Sequence, residues 1–202
     1  DQSLKLQVIG NGKIKGICGS GLIDLVAQLV KCGVIEASGR IIEPDRLLPA
    51  FSFLRKRLIP NGRSFDFVLA FPEESVSGET VVLKQSDVRE LQLAKGAILA
   101  GIKILLQEVN LKMEDIAQVY LAGAFGNYID IESALGIGLF PSTDAKRIKA
   151  AGNGAGIGAL KALFSNREKE RAAQVVENII HIELATRADF QNKFIESLGF
   201  SV

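Results

Sequence analysis

The residues best suited to chemistry lie in Val119-Tyr-Leu-Ala-Gly-Ala-Phe-Gly-Asn127, where an apolar run from Val119 to Ala122 enters Gly123-Ala124-Phe125-Gly126-Asn127. Glycine has no Cβ, so backbone there can approach a flat ligand closely. The carboxyl end of a strand is also where open α/β sheets bind nucleotides. The same residues suit a tight strand-to-helix turn whose glycines serve only packing, and both readings stay open. Two other glycine turns compete with it. Gly154-Ala-Gly156-Ile-Gly158-Ala159 fits GxGxxA and could seat a pyrophosphate on a helix N-terminus. A second helix follows it from Asn166, and no acid stands about twenty residues on, where a ribose contact is expected. Packing of a helix start on a strand is the preferred reading. Gly16-Ile-Cys-Gly19-Ser-Gly21 is not a Walker loop, because no Lys-Ser or Lys-Thr follows. It reads as a strand-to-helix turn capped by Ser20, with approach to a phosphate as the alternative.

Single side chains say less. Lys95 lies mid-helix beside Gln92 and Gly96, and a helical lysine is usually solvated. Gly96 is less ordinary, since glycine inside a helix costs about 1 kcal/mol relative to alanine. A close neighbour, either another backbone or a planar ligand, would explain it. His181 falls in an apolar stretch and reads as a core histidine. Asp24, Asp130, Glu132 and Asp144 are scattered acids that could hold a metal-bound water, but surface and capping roles suit them better. No catalytic set can be assembled.

The elements that must position these residues alternate between strand and helix, which predicts an α/β fold with both sheet faces covered. Leu4–Ile9 and Ile14–Cys18 read as a hairpin about Asn11-Gly12. A helix follows with Leu22, Val26 and Leu29 on one face, and Gly33 ends it. Residues 36–64 read as an irregular excursion, and Phe65–Phe71 with Glu79–Leu83 as a strand pair. The longest helix starts near Asp87 with a capping-box pattern to Glu90. Leu91, Ala94, Ile98, Ile102, Leu105 and Val109 define its expected buried face. Arg147–Ala151 reads as a strand, followed by a helix to Phe164 and an amphipathic helix over 166–179 with Ala172, Val175, Val176 and Ile179 inward. Ile180–Leu184 reads as a strand, and a last helix presents Phe190, Phe194 and Leu198 with Gly199 as its cap.

Composition narrows the partners. The net charge is +1 without a basic run, so no electrostatic footprint for nucleic acid is present. No apolar stretch is long enough to span a membrane, and no signal peptide is visible. The isolated Cys18 and Cys32 form no CxxC pair, which suggests a reducing, cytoplasmic setting without a metal framework. The chain opens on Asp1 and its sole methionine is Met113, so a stretch of a longer protein is expected.

Several segments in order resemble one family. They are Gly16-Ile-Cys-Gly-Ser-Gly-Leu-Ile-Asp24, Gln85-Ser-Asp-Val-Arg-Glu-Leu-Gln-Leu-Ala-Lys-Gly-Ala97, Val119 to Tyr128, Ile137-Gly-Leu-Phe-Pro141 and Gly152-Asn153. Together they resemble the C-terminal ATPase region of reductive activators of corrinoid proteins, within the actin, heat-shock ATPase and sugar-kinase superfamily. The resemblance implies a ribonuclease-H-like, actin-type core over 1–33 and 111–202, with an inserted α+β subdomain over 34–110 that includes the long helix. It implies that Gly123, Ala124, Phe125, Gly126 and Asn127 carry adenosine, with Gln92, Lys95 and Gly96 beside the adenine and ribose. ATP with Mg²⁺ is the implied cofactor of the intact protein. The phosphate-binding residues and a 2Fe–2S cluster are expected upstream of Asp1, and no metal within this stretch. The implied partners are a corrinoid protein of a methyl-transfer system, which is returned from Co(II) to Co(I), and a second copy of the chain. Alternatives are an activator of 2-hydroxyacyl-CoA dehydratases, a small-molecule kinase, and a non-catalytic dimerisation or partner-binding domain.

Overall fold

A computed structural model of the protein describes residues 4–123, 126 and 128–200. Helix α1 (Gly19–Lys31) lies at its centre. Ile23, Leu25, Val26, Ala27, Leu29 and Val30 are all buried, so the helix is covered on more than one side. Its N-cap is Cys18 rather than Ser20: the Cys18 Sγ accepts from the Gly21 N–H at 3.4 Å. Any acceptor that satisfies the unpaired amides of the first turn can serve there, and the thiol stands at the cap position, two residues before the hydroxyl. Gly33 takes φ 70° after the helix, the left-handed position that lets the chain turn away without Cβ strain.

Strands β1 (Leu58–Asn61), β2 (Ser64–Ala70) and β3 (Val81–Leu83) form an antiparallel sheet in the order β1-β2-β3. β2 is central and buries Phe67, Val68, Leu69 and Ala70 in succession. The excursion over 36–64 contains 3-10 turns at Pro44–Arg46 and Pro49–Arg57 and then β1. β1 departs from the expected irregular excursion: Pro60 lies inside it, which hides it in the sequence, and proline is tolerated in a strand only at an edge. The predicted hairpin does not form as a ladder. Asn11 makes the turn, with φ 55° and its N–H on Val8 O, but Ile14 bridges only to Ser75. A lone two-stranded ribbon is marginal without a third partner.

Helix α2 (Gln85–Glu108) begins two residues before Asp87, whose carboxylate instead accepts from the Lys84 N–H at 2.9 Å. Its buried side chains are Val88, Leu91, Lys95, Gly96, Leu99, Ala100, Gly101 and Ile104, while Ile98, Leu105 and Val109 are exposed. The expected face is thus rotated. The helix offers a second stripe, rich in small residues, and the chain's C-terminal part packs there.

The parallel pair β4 (Val119–Ala122) and β5 (Ile148–Gly152) is connected through α3 (Ile131–Gly136), which Asp130 caps. Helices α4 (Gly154–Phe164) and α5 (Asn166–Glu177) follow, the second capped by Ser165. Val175, Val176 and Ile179 of the amphipathic stripe are exposed rather than inward, because α5 packs chiefly on α4. Residues 180–184 are irregular, not a strand. His181 there is exposed and lies 3.6 Å from Glu183, so it is no core histidine. The last helix, α6 (Phe190–Glu196), stacks Phe190 on Phe194 and packs on α2. The described core runs continuously from α1 through β2 and α2 to α3 and Phe200.

Candidate functional site

Strand β4 delivers the chain to Gly123, which takes φ 93° and donates its N–H to Gly152 O at 2.8 Å. Among the described residues, a Cβ built at Gly123 would meet nothing within 4 Å. Its backbone conformation is one that side-chain-bearing residues rarely adopt. Gly126 is different in kind. It is buried, and a Cβ there would stand 2.8 Å from the Leu121 carbonyl group. Its glycine serves packing of the turn onto the end of β4. Ala124, Phe125 and Asn127 lie outside the described residues.

Gln92, Lys95 and Gly96 come together on α2, and all three face the C-terminal segment. Gln92 Nε2 donates to Ser38 O and to Leu198 O, each at 3.1 Å. Lys95 is 1% exposed; its Nζ donates to Gly199 O and sits 5.5 Å from the centroid of the Phe200 ring. A Cβ on Gly96 would lie 3.1 Å from Leu198 Cδ2, so the neighbour that explains this glycine is the chain itself. Gly199 does not cap α6, which ends at Glu196; its carbonyl is used on Lys95 instead. No hydrogen bond joins this group to the Gly123 turn among the described residues. Nothing in the sequence announced Leu198, Gly199 and Phe200 as partners of α2, more than ninety positions away.

Burial, reinforced by the nearby Lys103 ammonium, lowers the Lys95 pKa to about 8. The folded chain then binds this proton less tightly than the unfolded chain. The cost of the buried charge is fully present below pH 8, and stability rises with pH from about 8 to about 10.5. Lys95→Met should flatten that rise, which urea unfolding midpoints at pH 7, 8, 9 and 10 would measure.

The other glycine turns are occupied by their own side chains. Asn153 Oδ1 accepts from the Gly156 N–H at 2.9 Å, and Gly152 takes φ 68°. That capping consumes an amide which a pyrophosphate would need. At Gly16–Gly21 the Cys18 thiol plays the same part. Hydrogen bonds from Ser20 and the Gly21 amide lower the Cys18 pKa, whereas burial raises that of Cys32. Because the thiolate is the nucleophile, Cys18 should alkylate with iodoacetamide at pH 7 about tenfold or more faster than Cys32, as read by mass spectrometry. Cys18 and Asp24 also line a cavity of about 390 Å³ between residues 4–18 and α1. Among the described residues Asp24 Oδ1 is buried without a hydrogen-bond partner, and desolvation raises the Asp24 pKa, opposed by a hydrogen bond from Ser133. Asp130 and Asp144 cap local turns, and no cluster of three metal-ligating side chains occurs among the described residues. No described helix is long and apolar enough to cross a membrane.

Comparison with known proteins gives this geometry its setting. The family described as "C-terminal domain of RACo the ASKHA domain" matches residues 1–202. The chain is 35% identical over 193 residues to the corrinoid activation enzyme RamQ of Eubacterium limosum, covering 96% of this chain and 32% of that protein. It is 27% identical over 187 residues to the Co(II) methylated amine-specific corrinoid protein reductase of Methanosarcina barkeri, covering 92% of this chain and 29% of that one. The solved structure of a reductive activator for corrinoid, iron–sulfur protein superposes with a TM-score of 0.85 at 34% identity, over 97% of this chain and 30% of that chain. The chain thus spans about a third of the length of these relatives. Its alternation of helices and strands is the α/β architecture of an actin-like ATPase fold, and the chain belongs to the family of RACo C-terminal ASKHA domains.

Proposed function

We propose that this chain is the C-terminal ATPase part of a reductive activator that returns a corrinoid protein from Co(II) to Co(I) for methyl transfer. The observation that carries the nucleotide side of this reading is the Gly123 turn, left-handed and with no described residue within 4 Å of where a Cβ would stand. A planar adenine could lie against backbone that carries no Cβ. Gln92 and Lys95 would complete the adenosine contact from α2, although as placed their polar groups are spent on residues 198 and 199. The division into a core over 1–33 and 111–202 and an inserted subdomain over 34–110 belongs to this reading. So do a homodimer and a cytoplasmic location.

ATP with Mg²⁺, when bound, would supply the free energy that makes an uphill one-electron reduction of cobalt accessible. The residues of this chain contribute binding and orientation: the β4–β5 pair fixes the Gly123 turn through its bond to Gly152 O, and α2 positions the polar side chains. Nucleotide can bias a conformational equilibrium only by binding one state better than the other. The relatives are named as acting on corrinoid proteins, which supports the same partner class here. Phosphate-binding residues and a 2Fe–2S cluster would belong to the remainder of a longer protein.

The test is spectroscopic. The protein as it occurs in the cell, given a low-potential electron donor and its corrinoid protein, should convert the Co(II) absorption to that of Co(I) only when ATP is present. Equal conversion with ATP omitted would remove the ATPase role.

A further inference from the structure

We propose that residues Phe194–Phe200 form a strap that competes with nucleotide for α2. The proposal rests on the adenosine reading of Gln92 and Lys95 and adds a control to that site. The strap takes the donors such a ligand would need. Gln92 Nε2 is bonded to Leu198 O, and Lys95 Nζ to Gly199 O over the Phe200 ring. Lys103 Nζ reaches Ser197 Oγ at 3.2 Å, and the Phe200 N–H donates to Ala37 O at 2.9 Å. The Phe194 and Leu198 side chains lie over Gly96, the one point on this turn of α2 with no side chain to hold them off.

The strap is built to come away. α6 has seven residues, no side-chain cap on its first turn and no buried residue of its own. It is reached through residues 178–189, which hold no regular helix or strand and leave Ile180 85% exposed. Phe200 anchors the far end at 5% exposure. Detachment of 194–200 would therefore leave β2, α1 and most of the core in place. It would free two donor side chains together, at neighbouring turns of one helix. A strap closed for most of the time lowers the apparent affinity for nucleotide by the fraction of chains that are open.

Two measurements on the protein test this. Hydrogen exchange at the Leu198–Phe200 amides should quicken when ATP is added to saturation. Leu198→Ala and Phe200→Ala, each checked for folding by thermal melting, should bind ATP roughly tenfold or more tightly than the parent by calorimetry. Unchanged or slower exchange in 194–200 with ATP overturns the strap. So does parent-like, weaker or undetectable ATP binding by the folded variants. Gly123→Val separates the two ideas. If that variant loses ATP while the strap variants bind as the parent does, the nucleotide reading stands and the strap falls. If Gly123→Val binds ATP at parent strength, the adenosine reading itself is wrong.

Discussion

On the proposed function, Gly123→Val should abolish ATP-dependent cobalt reduction while leaving the protein able to receive electrons. The loss expected in ATP affinity is about a hundredfold or more, equivalent to roughly 2.7 kcal/mol. The reason is local. The residue takes φ 93°, a conformation disfavoured for any side chain and most for a β-branched one. Its Cβ would also point where no described residue stands within 4 Å, the side on which the proposed ligand would rest. Gly123→Ala separates the two effects, since it carries the backbone penalty of about 1 kcal/mol with only one methyl group in the opening. Affinity should fall in the order glycine, alanine, valine, while melting temperatures of the two variants stay close. A folded valine variant that responds to ATP like the parent would reduce 119–127 to a packing turn.

Gly126→Ala should act on stability instead. A methyl group there would stand 2.8 Å from the backbone carbonyl of Leu121, which cannot move without disturbing the end of β4. Overpacking of this kind typically costs about 1–3 kcal/mol. For a chain of this size that lowers the melting temperature by roughly 2–12 °C. Two glycines three positions apart, in one motif, are thus expected to fail in different assays. A Gly126→Ala variant that melts at the parent temperature would contradict this division.

The sequence showed the elements whose signals are local. β4 and β5 stand out as short runs that lead into a glycine, at Gly123 and Gly152, and α1 shows a buried stripe ended by Gly33. The resemblance reached the family from motif order. What stayed hidden depended on long-range packing. α2 has an apolar stripe through Ile98, Leu105 and Val109, and periodicity alone selects it as the inner face. The structure covers instead the stripe with Gly96, Ala100 and Gly101, because Leu198 and Leu184 settle against those small residues. That same packing turned Lys95 from an expected solvated lysine into a buried one. The division between Gly123 and Gly126 was equally invisible, since glycine types and spacing are silent about which one touches Leu121. His181 and the exposed stripe of α5 misled in the opposite direction: apolar neighbours in sequence do not guarantee apolar neighbours in space.

Lys95 is separated from the carbonyl it serves by 104 residues. A ribosome adding roughly 5–20 residues per second needs on the order of 5–20 s to cross that interval. Throughout it, a nascent α2 shows Gly96, Leu99 and Ala100 to solvent, and Lys95 is free to be fully hydrated and charged. The polypeptide is therefore born with its long helix uncovered. The cell's folding helpers would meet a stripe of small and apolar residues beside Lys95 and Lys103 well before residues 194–200 exist to cover it. Slowing translation downstream of Asn110 should lengthen that window and increase capture of the nascent chain by general chaperones.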